Sequence, residues 1–370
     1  MISVEQALKI VIKNSSITEQ TELKTVSNAL GYALSNDIIS QISMPPFQQS
    51  AMDGYAIHFH DSLIYKIVGE IKAGDKNQPE LQKGEAVRIF TGAPVPNSSN
   101  CVVIQENTSV NENLLTLDSE VQLMANIRPL GEQISKNDVA LKKGSLLTPA
   151  SIAFLTSLGI TEVKVHKKPS IAIIVTGNEL IEPGQLLEYG QIYESNAIMI
   201  SSALKSQGFN DTNIYKVKDD YNDTVDILKS SIAHHDLVII SGGISVGDYD
   251  FVGKALHELN VEELFYKVKQ KPGKPLYFGK KDKKLIFALP GNPSAALSCF
   301  YIYVQTALNH LIGNIGFNLT RTTGISKSNY TKKGHRSQFL KAIFNNGFVM
   351  ISTFWCRGKH RLRLDFHKLS

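Results

Sequence analysis

The stretch Val238-Ile239-Ile240-Ser241-Gly242-Gly243-Ile244-Ser245-Val246-Gly247-Asp248-Tyr249-Asp250 decides the fold. A short apolar run ends in small residues. A polar loop then leads into a helical pattern at Val252, Ala255, Leu256 and Leu259. Such a strand–loop–helix junction turns free backbone N–H groups toward a concavity that can hold an anion. In open α/β sheets ligands bind at the carboxyl ends of strands, where this loop sits. Ser241, Gly242, Gly243 and Ser245 are therefore expected to bind substrate. Asp250, in the first turn of the helix, points to a bound cation or a proton transfer, the alternative being a helix-start acid that stabilises the dipole.

Outward from this point the chain alternates. Strand Ile171–Val175 precedes a helix near 197–207. Strand Ile214–Val217 precedes one near 224–233, and Leu237–Ile240 one near 251–259. Strand Leu285–Leu289 precedes a long helix from about 294 to 312. The alternation predicts a doubly wound α/β domain over 169–316. Residues 1–168 read as an N-terminal and linker region. It has helical segments near 4–13 and 25–35, and a β-rich domain at about 40–137 with runs at Tyr65–Val68, Ala86–Ile89, Cys101–Ile104 and Leu114–Leu117. Thr148-Pro149 opens a helix that Gly159 closes. Residues 317–370 read as a small C-terminal β domain, atypical after about 353.

The bulk numbers exclude several classes. The 370 residues suit two or three domains of roughly 150 residues each. A net charge of +5, with Lys and Arg spread along the chain, does not suggest a nucleic-acid binder. The three cysteines are far apart, with no zinc or disulfide spacing, and fit a reducing compartment. There is no secretory leader pattern and no apolar run of about 18 residues, so the expectation is a cytoplasmic protein with no membrane partner.

Other loops carry candidate chemistry. Thr176-Gly177-Asn178-Glu179-Leu180 follows the first strand and places Glu179 near the same sheet edge as Asp250. Asp219-Asp220 follows the second strand. Each could be a solvated turn or helix-start acid, yet together they offer the oxygen ligands that Mg²⁺ takes. Lys271-Pro272-Gly273-Lys274-Pro275 is a stiff loop with two lysines, preceded by Lys267. It reads as an anion receiver or a solvated basic turn. Leu289-Pro290-Gly291-Asn292-Pro293-Ser294 opens the last helix, as an anion cradle or a plain cap. Ser50–Ala56 and Arg88–Pro94 stand out in the β-rich region without matching a general motif.

Taken together, Pro45-Pro46-Phe47 with Ser50–Ala56, Arg88–Pro94, Thr176–Leu180, Ser241–Asp250, Lys271–Pro275 and Leu289–Ser294 resemble the molybdopterin molybdenumtransferase family, in the family's order. The resemblance implies insertion of molybdate into adenylylated molybdopterin, with Mg²⁺ and release of AMP. It implies an elongated homodimer whose cleft lies between the α/β domain of one subunit and the β domain of the other. It places Asp53 and Thr91 in the partner-facing part of the cleft and Arg128 as an anion contact. Glu179, Asp219 and Asp250 fall on acidic positions, with the metal near Glu179 and Asp250. Lys267, Lys271 and Lys274 would hold phosphates or molybdate, and Pro290 and Pro293 would shape the loop before the last helix.

The chain departs from the family at Gln133, where Asp is common, at Gln48-Gln49, and after Thr353. There a reading-frame change near codon 354 would account for the sequence, the alternative being a basic tail with neither strand nor helix periodicity. Two other functions compete: a pterin-binding scaffold impaired in catalysis, and a molybdopterin adenylyltransferase. The latter is typically the α/β domain alone.

Overall fold

In the computed structural model, residues 1–244, 251–314, 316–327, 329–332 and 334–351 are described, with the backbone of 362–365. The α/β part is built on a six-stranded sheet. Its strands lie in the order Thr212–Val217, Ile171–Thr176, Leu237–Ser241, Lys284–Leu289, Tyr277–Lys281, Glu262–Tyr266. The first four run parallel. All six residues of Ile171–Thr176 and all five of Leu237–Ser241 are buried. Continuous apolar runs of this kind are expected of strands covered on both faces.

Alternate side chains of Ile171–Thr176 serve two cores. Ile171, Ile173 and Val175 pack with the helices Asn196–Lys205 and Gln305–Leu311. Ala172 and Ile174 pack with Tyr221–His234 and Phe251–Glu258. The N-terminal helix Val4–Asn14 joins the first core through Val4, Ala7 and Val11. A reciprocal cap starts it: Gln6 N–H donates to Ser3 Oγ at 3.1 Å, and Ser3 N–H to Gln6 Oε1 at 2.9 Å.

From Ile171–Thr176 the chain moves outward to Thr212–Val217, then crosses back to Leu237–Ser241 on the other side. That reversal opens a crevice at the carboxyl ends of the two central strands. The registers Thr176↔Val217, Val175↔Ser241 and Ser241↔Leu289 bring the ends of all four parallel strands to one edge.

The β-rich part holds a second six-stranded sheet. Its order is Cys101–Ile104, Gly54–Ile57, Glu85–Ile89, Ile64–Ile71, Leu114–Leu117, Thr108–Asn111. The helix Pro149–Ser157 is capped by Thr148, which accepts from the Ser151 amide, and Gly159 follows at φ +74.

Three expectations are corrected. Residues 25–35 hold only a short 3₁₀ turn, Val26–Asn28, after the strand Thr21–Thr25. Val26, Ala29, Ala33 and Leu34 have helical spacing and are buried. Gly31 at φ +72 breaks the period, and Ala33 and Leu34 are extended, bridging Leu146 and Val165. Beside the four parallel strands, Glu262–Tyr266 and Tyr277–Lys281 add an antiparallel edge. The long helix is interrupted by a π-helical turn at Phe300–Val304. Finally, the tail is not without strand. Leu362–Asp365 pairs antiparallel with Ser337–Asn345 in a C-terminal sheet. The alternation of Leu362 and Leu364 with Arg363 and Asp365 is too short to be read as a period. The rest of the tail after Ile351 lies outside the described residues.

Candidate active site

The crevice is a cavity of about 920 Å³ at the carboxyl edge of the sheet, within the usual range for a ligand site. Four of the segments that line it are loops anticipated from the sequence.

The first loop follows Thr176. Gly177 has φ +150, and a Cβ there would stand 2.7 Å from Glu179 Oε2. The space a side chain would fill is taken by the Glu179 carboxylate. Asp219, arriving from the neighbouring strand, accepts from Thr176 Oγ1 at 2.7 Å and from the Asn178 amide at 3.1 Å. The Asp219 amide donates back to Asn178 Oδ1 at 3.2 Å. Two loops are thus stapled reciprocally.

The second loop follows Ser241. Gly242 and Gly243 both lie at positive φ, +98 and +60. A Cβ on Gly242 would meet the Thr176 carbonyl oxygen at 2.7 Å, a backbone atom that cannot step aside. The Gly242 amide is taken by the Leu289 carbonyl at 3.3 Å, and Gly243 lines the cavity, where a backbone N–H group can meet an anion.

The third loop, Pro290–Pro293, opens the last helix. Asn292 accepts from the Ala295 amide at 3.2 Å, so part of this helix start is already satisfied by the chain. Pro290 and Pro293 both line the cavity. The fourth loop contributes Pro272, Gly273 and Pro275 to the wall. Lys271 and Lys274 stand on it and are exposed. Lys267 precedes it at φ +68, with its ammonium 4.4 Å from the Tyr266 ring centre.

Sequence reasoning missed Glu194 and Asn196, which also line the cavity. Glu194 Oε1 accepts from the Ala197 amide at 2.9 Å and caps the helix. Asn196 Nδ2 donates to Ser241 Oγ at 2.9 Å and to the Gly291 carbonyl at 2.7 Å. One amide therefore ties the second loop to the third. The only signal was a polar Glu-Ser-Asn run before an apolar helix, which reads as a cap.

The wall carries three carboxylates, Glu179, Glu194 and Asp219, and no basic side chain. Among the described residues no group of three or more acids, histidines or cysteines is close enough to hold a metal by itself. Glu179 makes no hydrogen bond with another described side chain. Ser245 and Asp250 lie outside the described residues.

Asp53, Thr91 and Arg128 do not line this cavity in the same chain. They stand in the β-rich part, where Asp53 and Thr91 are bonded to each other and Arg128 pairs with Gln49 on a neighbouring strand. Asp53 Oδ1 accepts from the Thr91 amide and from Thr91 Oγ1, both at 2.7 Å. These bonds, with a smaller contribution from Arg88, hold the Asp53 carboxyl below its ordinary range. Arg88 is fixed by Gln105 at 2.5 Å and lies over the rings of Tyr55 and Phe90. Gln49–Ser50 pairs with Ile127–Arg128, and the Gly92 amide donates to the Ser50 carbonyl at 2.9 Å. Three motifs distant in sequence converge on one exposed polar surface.

Comparison with known proteins covers both parts of the chain. Residues 2–159 match the family model described as MoeA N-terminal region (domain I and II). Residues 172–310 match the probable molybdopterin binding domain. A molybdopterin molybdenumtransferase from Staphylococcus epidermidis is 35% identical over 325 residues, covering 84% of this chain and 76% of that protein. One from Staphylococcus aureus is 33% identical over 350 residues, covering 92% and 83%. The crystal structure of a molybdopterin biosynthesis moeA protein from Pyrococcus horikoshii OT3 superposes with a TM-score of 0.82 at 27% identity, over 99% of this chain and 95% of that one. The chain belongs to the molybdopterin molybdenumtransferase family and is a transferase of molybdenum cofactor biosynthesis.

Proposed function

We propose that the reaction is insertion of molybdate into adenylylated molybdopterin, with Mg²⁺, releasing AMP and giving molybdenum cofactor. The observation that carries this reading is the pairing of the glycine turn at Ser241–Gly243 with an acidic wall in one cavity. The substrates are anions, and three carboxylates alone would repel them. A divalent cation resolves the conflict. Mg²⁺ typically takes one or two carboxylates and completes its shell with water and substrate phosphates. Glu179 is the described side chain that would hold it, beside Asp250. Bound there, the ion would neutralise charge as the phosphoanhydride is cleaved.

The chain's own groups divide the remaining work. The Gly243 amide, with Ser241, Gly242 and Ser245 shaping the loop around it, receives phosphate oxygens. Lys271, Lys274 and Lys267 supply positive charge for molybdate or phosphate. Asp219 holds the loop that carries Glu179. Pro290 and Pro293 fix the remaining wall. Asp53, Thr91 and Arg128, remote from the cavity in their own chain, serve the cleft of a second subunit in a cytoplasmic homodimer. No helix among the described residues is long and apolar enough to cross a membrane. The reading is tested by following AMP release from adenylylated molybdopterin with molybdate and Mg²⁺ each present or omitted.

A further inference from the structure

Beneath the Lys271–Pro275 loop lies a buried polar cluster that no step above uses. Gln270, Cys299 and Tyr303 are each 0% exposed. Gln270 Nε2 donates to the Gly273 carbonyl at 2.9 Å and to Cys299 Sγ at 3.3 Å. Tyr303 OH donates to Gln270 Oε1 at 2.5 Å. The amide's orientation is fixed, because a carbonyl can only accept. Gly273 sits at φ +84, and a Cβ there would be 2.6 Å from Cys299 Sγ and 2.9 Å from Gln270 Nε2. The loop therefore rests directly on this cluster. Tyr303 is delivered to it by the π-helical turn Phe300–Val304. Single π turns inside helices are frequent at functional sites.

We propose that Gln270, oriented by Tyr303, is a positioning residue for the oxyanion-binding loop, a role that rests on the assignment of Lys271 and Lys274 to molybdate or phosphate. A buried amide with both ends bonded admits one arrangement. It fixes the Gly273 carbonyl, and through it the height at which the Pro272-Gly273 backbone meets the cavity and the two lysines leave it. The apolar alternative would leave the Gly273 carbonyl only the weak Cys299 thiol donor, at 3.9 Å, and the loop freer to turn. On the outer side, Gln270–Lys271 pairs in parallel with Ser337 and Gln338 of the C-terminal sheet, so the loop is held from two directions.

The test uses the full chain with Tyr303→Phe and Gln270→Met, and Ile302→Val as a control that trims packing in the same helix. Two quantities are read: amide hydrogen exchange of the 268–276 peptide, and molybdate binding by equilibrium dialysis. Both test variants should exchange faster in that peptide and bind molybdate about tenfold more weakly, while Ile302→Val changes neither. Tyr303→Phe removes one oxygen atom and keeps the fold, so it decides the matter if Gln270→Met does not fold. Unchanged loop exchange in Tyr303→Phe, or equal acceleration in Ile302→Val, would overturn the proposal. A wild-type chain that binds no molybdate refutes the anion assignment instead, and the exchange comparison still decides the positioning role.

Discussion

Thr176 Oγ1 donates to Asp219 Oδ1 at 2.7 Å, joining the ends of two neighbouring parallel strands that are 43 residues apart. Asp219 uses its second oxygen on the Asn178 amide. This carboxylate is a brace for the loop that carries Glu179. Thr176→Val keeps the shape and removes the hydroxyl, so it should cost about 1 kcal/mol of stability. Asp219→Asn keeps one acceptor for the Asn178 amide and reverses the bond to the Thr176 hydroxyl; losing both charge-assisted bonds should cost about 2 kcal/mol. Urea denaturation of both variants checks the order. Equal stability of wild type and Asp219→Asn would show that the brace carries no weight.

Gly242 and Gly253 should respond to alanine in opposite directions. At Gly242 the φ of +98 and the Thr176 carbonyl at 2.7 Å make a Cβ strained and clashing. The expected cost is about 2–4 kcal/mol, with loss of turnover. Gly253 lies in the helix Phe251–Glu258, where a Cβ meets nothing within 4 Å. Gly253→Ala should add about 0.5–1 kcal/mol. Thermal melts of the two variants decide it, and destabilisation by Gly253→Ala would contradict the packing described.

Lys168 gives the stability a pH dependence. Its ammonium donates to the Gly208 carbonyl at 2.8 Å and lies over the rings of Tyr32 and Phe209. Burial, and then the nearby Lys24, push it down from 10.5 to about 8; Glu22 opposes. Between pH 8 and 10.5 the unfolded chain binds a proton that the folded chain has released, so stability from this group rises with pH across that window. Against Lys168→Met, the wild type should gain in Tm from pH 7 to pH 10. Parallel Tm curves would refute the shift.

Asp53 should titrate below its usual range because Thr91 donates to it twice. Thr91→Val removes the hydroxyl and keeps the amide, so the Asp53 midpoint should rise. Carbon-13 NMR of the carboxyl follows it, and an unmoved midpoint would mean that the side-chain bond does not form in solution.

The shared cleft predicts complementation between inactive chains. Asp53→Asn damages only the β-rich centre and Glu179→Gln only the cavity. A mixed dimer then holds one intact cleft and one doubly damaged cleft. Mixing the two inactive variants should restore up to about a quarter of wild-type turnover if subunits exchange at random. No recovery after unfolding and refolding them together would place each cleft within a single chain.

How much of this was legible beforehand varied with the physics of each segment. The central strands were read nearly to the residue, because continuous apolar runs between glycines leave few alternatives. Cys101–Ile104 and Leu114–Leu117 matched end to end. The glycine loops were legible too, since Gly242 and Gly243 sit where only glycine fits. Residues 25–35 were misread because four buried positions fell on a helical period by coincidence of tertiary contact. Asn196 and Gln270 were invisible for a different reason. Their partners Ser241, Gly291, Gly273 and Tyr303 are 33 to 95 residues away or are backbone atoms that any sequence would supply.

The central claim is tested most directly by AMP release from adenylylated molybdopterin. The purified wild-type chain should release AMP with Mg²⁺ and molybdate together, and Glu179→Gln should slow that release by about 10²-fold, the scale at which one charge-stabilising group acts. AMP release that is indifferent to both molybdate and Mg²⁺, or a Glu179→Gln chain as fast as wild type, would contradict the account.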